Sequence, residues 1–229
     1  DNLQGYAQLL LNKSRDKSSS QTHYYMGGDI FTHFSQSLGV AVSGQRAVSS
    51  HEAGQNYITL DETSWNLNFG LTGTMFDGRW DWDAGIVTSR FEIKTARPRF
   101  LLNTARDYYL GPILGYVDDS VRGVFVNEIR DINLGRLYSP VTPDVYNQLT
   151  TMVLNDGSSS NDSFQYVMSG PLFNTWAGAV EMAGVLELSR SDFDMRPDPR
   201  ITADYNGTER VYNLSGTPGG GPRDRREVG

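Results

Sequence analysis

The chain has 229 residues, no cysteine, and a formal net charge of −7 with an isoelectric point near 4.9. This excludes disulfide frameworks, thiol catalysis and Cys-ligated zinc. It also leaves no basic stripe for nucleic acid, because the one cluster, Arg223, Arg225 and Arg226, is interrupted by Asp224 and Glu227 and reads as a solvated loop. A hydrophobic fraction of 38% is low, yet 12 Tyr, 10 Phe, 4 Trp and 24 Gly are too many for a disordered chain. They suit strands that are apolar on one face and polar on the other.

No stretch approaches the roughly 18 consecutive apolar residues of a membrane helix, although a β-barrel would carry no such run. The first predicted strand runs from Tyr6 to about Lys13, with Ala7, Leu9 and Leu11 in phase. Residues 14–22 read as a polar loop. A strand from Tyr24 to Phe31, a short turn over 32–37 and a strand from Leu38 to about Val48 follow. Residues 49–63 form a second polar connector. Over 65–76, Trp65, Leu67, Phe69, Leu71 and Met75 share one face, opposite Asn66, Asn68, Gly70, Thr72 and Thr74. Asp77-Gly78 marks a tight turn, and the return strand runs from Trp80 to about Glu92.

Residues 93–163 read as a long polar loop. A second hairpin occupies 164–190, with Phe164 to Phe173 ascending, Asn174-Thr175 turning, and Val180, Met182, Leu186 and Leu188 sharing a descending face. Residues 191–222 are polar again. Short and long connections thus alternate, the pattern of short periplasmic turns and long extracellular loops in an outer-membrane barrel. Trp65, Phe76, Trp80, Trp82, Phe173 and Trp176 fall near strand ends, where barrels place aromatic girdles. A β-sandwich alternates too and would bury Trp65, Phe69, Val180 and Leu186 between two sheets. The paired acids Asp81 and Asp83 beside large tryptophans weigh against it. The expected fold is all-β, an antiparallel transmembrane β-barrel segment with long extracellular loops, a partial barrel.

The segment Ser169-Gly-Pro-Leu-Phe-Asn-Thr-Trp-Ala-Gly-Ala-Val-Glu-Met-Ala-Gly-Val-Leu-Glu187 resembles a recurrent hairpin of TonB-dependent outer-membrane receptors. The matching residues are Ser169, Gly170, Leu172, Phe173, Ala177, Gly178, Ala183, Gly184, Val185 and Glu187. Pro171 and Thr175-Trp176 depart from the pattern. Phe193 to Asp198 resembles the start of the following loop, and Gly216 to Arg225 resembles an outer loop. The resemblance is best over 164–229 and extends plausibly over 1–100, while 101–163 carries no motif specific enough to support it.

The resemblance implies an outer-membrane receptor or transporter component for TonB-energised uptake of a scarce nutrient, such as a siderophore or a carbohydrate. It implies location in the cell outer membrane of a Gram-negative bacterium. The implied partners are outer-membrane lipid, the TonB complex through a missing N-terminal region, and a small-molecule nutrient, with no nucleic acid. Residues 1–229 would be part of one barrel domain of about 22 strands, lacking its plug domain and remaining strands. Both ends read as cut, at Asp1-Asn2-Leu3-Gln4 and at Arg226-Glu227-Val228-Gly229. A secreted β-sandwich carbohydrate-binding module and a passive porin-like channel are the alternatives.

Catalysis and cofactors are not expected. Gly216-Thr-Pro-Gly-Gly-Gly221 lacks the Gly-Lys-Ser/Thr ending of a phosphate loop. Asp118-Asp119, and Asp81 with Asp83, could suggest glycosidase acids or calcium ligands, but the first pair points opposite ways if extended and the second fits a wet strand face. His23, His33 and His51 have no metal-ligand spacing, and His33 falls in a predicted solvated turn. Glycosylation-like triplets at Asn12, Asn161, Asn206 and Asn213 are read as chance. The predicted loops carry Tyr108, Tyr109, Tyr116, Tyr138, Tyr146, Tyr205 and Tyr212, able to stack on a ligand or to pack loops together. None is assigned as a ligand-binding, catalytic or metal-binding residue.

Overall fold

The computed structural model describes residues 2–19, 22–117 and 127–228, without the side chains of residues 22–25 and 29. Its elements run β1 (Leu3–Ser18), β2 (Thr22–Met26), α1 (Gly28–Phe31), β3 (His33–Ser35), β4 (Val40–Val42), β5 (Arg46–Ser49), α2 (Ser50–Ala53), β6 (Ile58–Met75) and β7 (Trp80–Phe100). They continue as α3 (Leu102–Leu110), β8 (Gly115–Tyr116), β9 (Glu128–Arg130), α4 (Leu134–Tyr138), α5 (Pro143–Leu149), β10 (Thr150–Thr175), β11 (Gly178–Arg196), a 3-10 turn at Pro199–Ile201, and β12 (Gly219–Val228).

The dominant feature is a six-stranded antiparallel sheet in the order β1-β6-β7-β10-β11-β12. Two hairpins build its centre. In the first, Met75 pairs with Trp80, and Phe76, Asp77 and Gly78 all take positive φ (55°, 58° and 78°). That run of left-handed residues is what a tight connection between right-twisted strands demands. In the second hairpin the register shifts between Pro171 and Phe173, as expected where proline supplies no N–H to the ladder. The turn falls at Trp176-Ala177, two residues beyond the expected Asn174-Thr175, and Trp176 is fully exposed.

The expected fold class is corrected on two counts. The sheet is open: β1 and β12 are its two ends and do not pair with each other, so no barrel closes. The chain is also not all-β. Beside the sheet stands a mixed α/β body that, among the described residues, has five α-helices, a two-stranded sheet β2-β5 and a four-stranded sheet β4-β3-β9-β8 that includes a parallel β3–β9 pair. The β-sandwich fails as well. Phe69 is exposed, and Trp65, Val180 and Leu186 are not buried.

The polar segments expected to be long loops are largely strand or helix. Residues 14–18, 58–63, 93–100, 150–163 and 191–196 extend β1, β6, β7, β10 and β11. Ser, Asn, Asp and Gly have poor strand propensity, but strands paired on both sides override it. Ser158, for example, lies between Glu92 and Asp194. The span expected as a strand from Tyr24 to Phe31 divides into β2 and α1, and that from Leu38 to Val48 into β4 and β5.

The buried core lies in the α/β body, not the sheet. Met26, Ile30, Phe31, Val48, Tyr109 and Tyr146 are at most 1% exposed. Phe100, the last residue of β7, packs edge-on against Tyr146 with ring centroids 5.6 Å apart. Val153 of β10 packs with Ile201 and Val211 in a smaller cluster. The two long central strands thus run from the open sheet into the core of the body.

Candidate functional site

Directly paired residues share a face, so the strand registers assign every side chain of the sheet. One row reads Ala7, Phe69, Ile86, Phe164, Leu188, Arg226. The next two rows toward the β6–β7 turn read Gly5, Leu71, Ala84, Tyr166, Leu186, Val228 and then Leu3, Gly73, Trp82, Met168, Gly184. Leu9 and Leu67 extend this face in the other direction. It is apolar and uncovered: Leu9 is 59% exposed, Phe69 49%, Ile86 51% and Leu188 41%.

Toward the α/β body the same face turns polar. Arg90 donates to both carboxylate oxygens of Asp162, at 2.8 and 3.0 Å, and Thr88 donates to Asp162 as well. The hydrogen bonds from Arg90 and Thr88 hold the Asp162 carboxyl below its ordinary range. The Arg90 guanidinium also lies 5.7 Å from the centroid of Trp65. Arg190 and Asp224 face each other at 3.9 Å near the β12 edge.

The opposite face is polar. One row reads Leu10, Asn66, Ser89, Asn161, Ser191, Arg223, and the next reads Gln8, Asn68, Val87, Ser163, Ser189, Arg225. An open hollow of about 830 Å³ crosses all six strands here, with Asn66, Ser89, Asn161 and Ser191 on its floor and Phe91 and Phe193 beside them. Ser191 donates to the Asn161 side chain at 2.9 Å. Further along this face the Tyr6 ring lies over Gly70 and Gly85, where an added Cβ would collide with it. Its hydroxyl donates to Asp83 at 3.1 Å. Desolvation first, and Asp83 second, push the Tyr6 phenol upward. The expected pair Asp81 and Asp83 does share this polar face, and Asp83 is held by Tyr6.

The α/β body holds the most buried charge. Arg106 is fully buried and donates to Glu128 at 2.6 Å and to the Thr32 carbonyl at 3.1 Å. Arg130 donates to the same Glu128 oxygen at 2.8 Å and to Asp107 at 2.7 Å. Burial pulls the Arg106 guanidinium down, against the opposing pull of Glu128. His33 is fully buried in β3, with Nδ1 2.6 Å from the Phe31 carbonyl and Nε2 without a partner. This corrects its expected solvation. Burial is the main cause of its lowered pKa.

Of the tyrosines expected on loops, Tyr109, Tyr146 and Tyr212 are buried core residues. Tyr108 packs edge-on against Tyr109 at 4.9 Å, and Arg210 lies 5.5 Å from the Tyr205 ring. Tyr116 and Tyr138 are exposed. Arg223, Arg225 and Arg226 sit on β12, not in a loop, and Gly216–Gly221 leads into that strand and not into a helix. Among the described residues no three His, Cys, Asp or Glu side chains gather as metal ligands. The side chain of His23, and Asp118-Asp119, lie outside the described residues.

Sequence reasoning found the alternation of the sheet faces but not the buried network of Arg106, Glu128, Arg130 and His33. Its one readable signal was helical spacing at Leu102, Ala105, Arg106, Tyr109 and Leu110, which puts Arg106 on the inward side of α3.

No family model matches this sequence, and no curated protein or solved structure matches it. The identification as a TonB-dependent receptor, and with it an energised transporter or a passive channel, is overturned by the architecture: the described residues form a mixed α/β fold of open sheets and helices, not an all-β run of barrel strands and loops. The assignment to the cell outer membrane, with lipid and the TonB complex as partners, rested on that barrel. Among the described residues no helix is long and apolar enough to cross a membrane.

Proposed function

We propose that this chain is a non-catalytic docking module that binds a protein partner through the apolar face of its six-stranded sheet. The observation that carries this reading is the continuous row Phe69, Ile86, Phe164 and Leu188, flanked by Leu67, Leu71, Trp82 and Leu186, with no second layer over it among the described residues. Strands about 4.8 Å apart and same-face rows about 6.7 Å apart give this face on the order of 700 Å². That exceeds the few hundred Å² of an ordinary monomer patch and approaches the roughly 800 Å² that each partner contributes to a standard interface.

The rim supports the same reading. A charged border of Arg90, Asp162, Arg190 and Asp224 next to an apolar centre is the arrangement of a protein interface. The ion pairs of the chain also serve structure. Glu128 neutralises buried arginines, and Asp198 pairs with Arg200 at 2.6 Å beside the Val153 cluster.

The test is a comparison of the full chain with the double variant Phe69→Asp and Ile86→Asp. The full chain should bind an apolar dye, and chemical crosslinking in an extract of its source cells should yield one discrete adduct. Both signals should disappear in the double variant while its circular dichroism is unchanged. Flotation of the purified chain with phosphatidylcholine vesicles, lost in the same variant, would refute docking onto protein.

A further inference from the structure

We propose that the free edge of β1 pairs with β1 of a second copy of this chain, antiparallel about a two-fold axis at Ala7. This goes beyond the docking face and does not depend on it. The two ends of the sheet differ sharply. On β12, Pro222, Arg223, Asp224, Arg225, Arg226 and Glu227 occupy most of the strand, and prolines and charges are what guard an edge against further pairing. On β1, the stretch Leu3–Asn12 carries neither a charged residue nor a proline, and every side chain of the strand is exposed. Its outer row of backbone donors and acceptors is a template for another strand.

The second copy fits because β1 is complementary to itself in one register. Faces are preserved only when residues of the same parity oppose each other, since a one-residue slip would turn apolar side chains onto the polar face. With Ala7 opposite Ala7, Leu3 meets Leu11 and Gly5 meets Leu9 on the apolar face. Gln4 meets Leu10 and Tyr6 meets Gln8 on the other. Lys13, Arg15 and Lys17 then project past the end of the paired segment. A two-fold at Gln8 would set Lys13 against Leu3, and one at Leu10 would set Lys13, Arg15 and Lys17 against Ala7, Gly5 and Leu3. Tyr6 does not obstruct the edge, because its ring leans inward over Gly70 and Gly85 to reach Asp83. The product is one twelve-stranded sheet whose apolar face is twice as wide, with self-complementary contacts as two-fold symmetry requires.

The chain has no cysteine, so a single introduced thiol reports on this register without background. In Ala7→Cys the two thiols oppose each other across the axis, and mild oxidation should convert most of the protein to a disulfide-linked dimer. Ser18→Cys, beyond the paired segment, should stay uncrosslinked. The unmodified chain should sediment at twice its 25.5 kDa mass. Ala7→Lys, which sets ammonium against ammonium, should weaken dimerisation at least tenfold with unchanged circular dichroism. Phe69→Asp with Ile86→Asp should leave the dimer intact even though it abolishes docking. A chain that remains monomeric at tens of micromolar would overturn the proposal. So would a dimer that survives Ala7→Lys and is lost in the Phe69→Asp, Ile86→Asp variant, since that pattern means face-to-face association.

Discussion

Replacing Glu128 with alanine removes the carboxylate that two guanidiniums share. The side chain of Arg106 is 1% exposed and that of Arg130 is 6%, and both point at one Glu128 oxygen. Arg130 keeps Asp107, whereas Arg106 loses its Glu128 carboxylate partner. Breaking a buried ion pair from one side costs about 3–5 kcal/mol, because the surviving charge stays desolvated. For a chain of this size that corresponds to a melting temperature lower by roughly 10 °C. Urea denaturation followed by tryptophan fluorescence and by circular dichroism measures the loss. The comparison variant is Asp61→Ala, which breaks the exposed pair with Arg15. It should leave the denaturation midpoint nearly unchanged, because both groups of that pair are solvated. The double variant Arg106→Met, Glu128→Leu should recover part of the Glu128→Ala loss by replacing charge with packing. A Glu128→Ala protein no less stable than Asp61→Ala would refute the claim that this network is held by charge compensation.

The buried histidine gives a pH dependence. Its folded pKa lies below the ordinary 6.5, so the unfolded chain binds more protons below that value. The stability His33 contributes is full above pH 6.5 and declines as the pH falls from there toward its folded pKa. Denaturation midpoints between pH 7.5 and 5 should show this decline, and His33→Gln should flatten it; equal slopes in the two proteins would refute the assignment. On the polar face of the sheet, Gly70→Ala sets a methyl against the far end of the exposed Tyr6 side chain, which should move the ring off Asp83 at a cost of under about 1 kcal/mol. The same substitution in a Tyr6→Ala background should cost almost nothing, and a double-mutant cycle without coupling would show that the ring is not held there.

The parts of the fold readable in advance were those with a single period. The hairpins over β6–β7 and β10–β11 follow from strict alternation, and Asp77-Gly78 signals its turn chemically. The far halves of the same strands were hidden. Asn155 to Ser163 has the composition of a loop and becomes strand only because β7 and β11 flank it. The helices were hidden for a different reason. Thr142-Pro143 is a readable N-terminus, with Thr142 accepting from Val145 N–H, but α5 spans only seven residues. The candidate site was half legible: alternation tells which side chains share a face, but only tertiary structure tells whether anything covers it. The barrel expectation supplied lipid as that cover, and the open strand order removes it. His33 was misplaced because a short polar stretch reads as a turn, whereas a parallel pairing with β9 through Phe34 and Ser35 draws it inside.

The long central strands have a mechanical consequence. β7 and β10 pass from the sheet into the α/β body without a break, and Phe100 pairs with Thr150 at the inner end of their shared ladder. A load on the sheet therefore reaches α3 and α5 through the continuous backbone of β7 and β10. Severing the chain between the two halves would sacrifice Phe100 or Val153 along with the strands that carry them, and with those residues the packing against Tyr146 and against Ile201 and Val211.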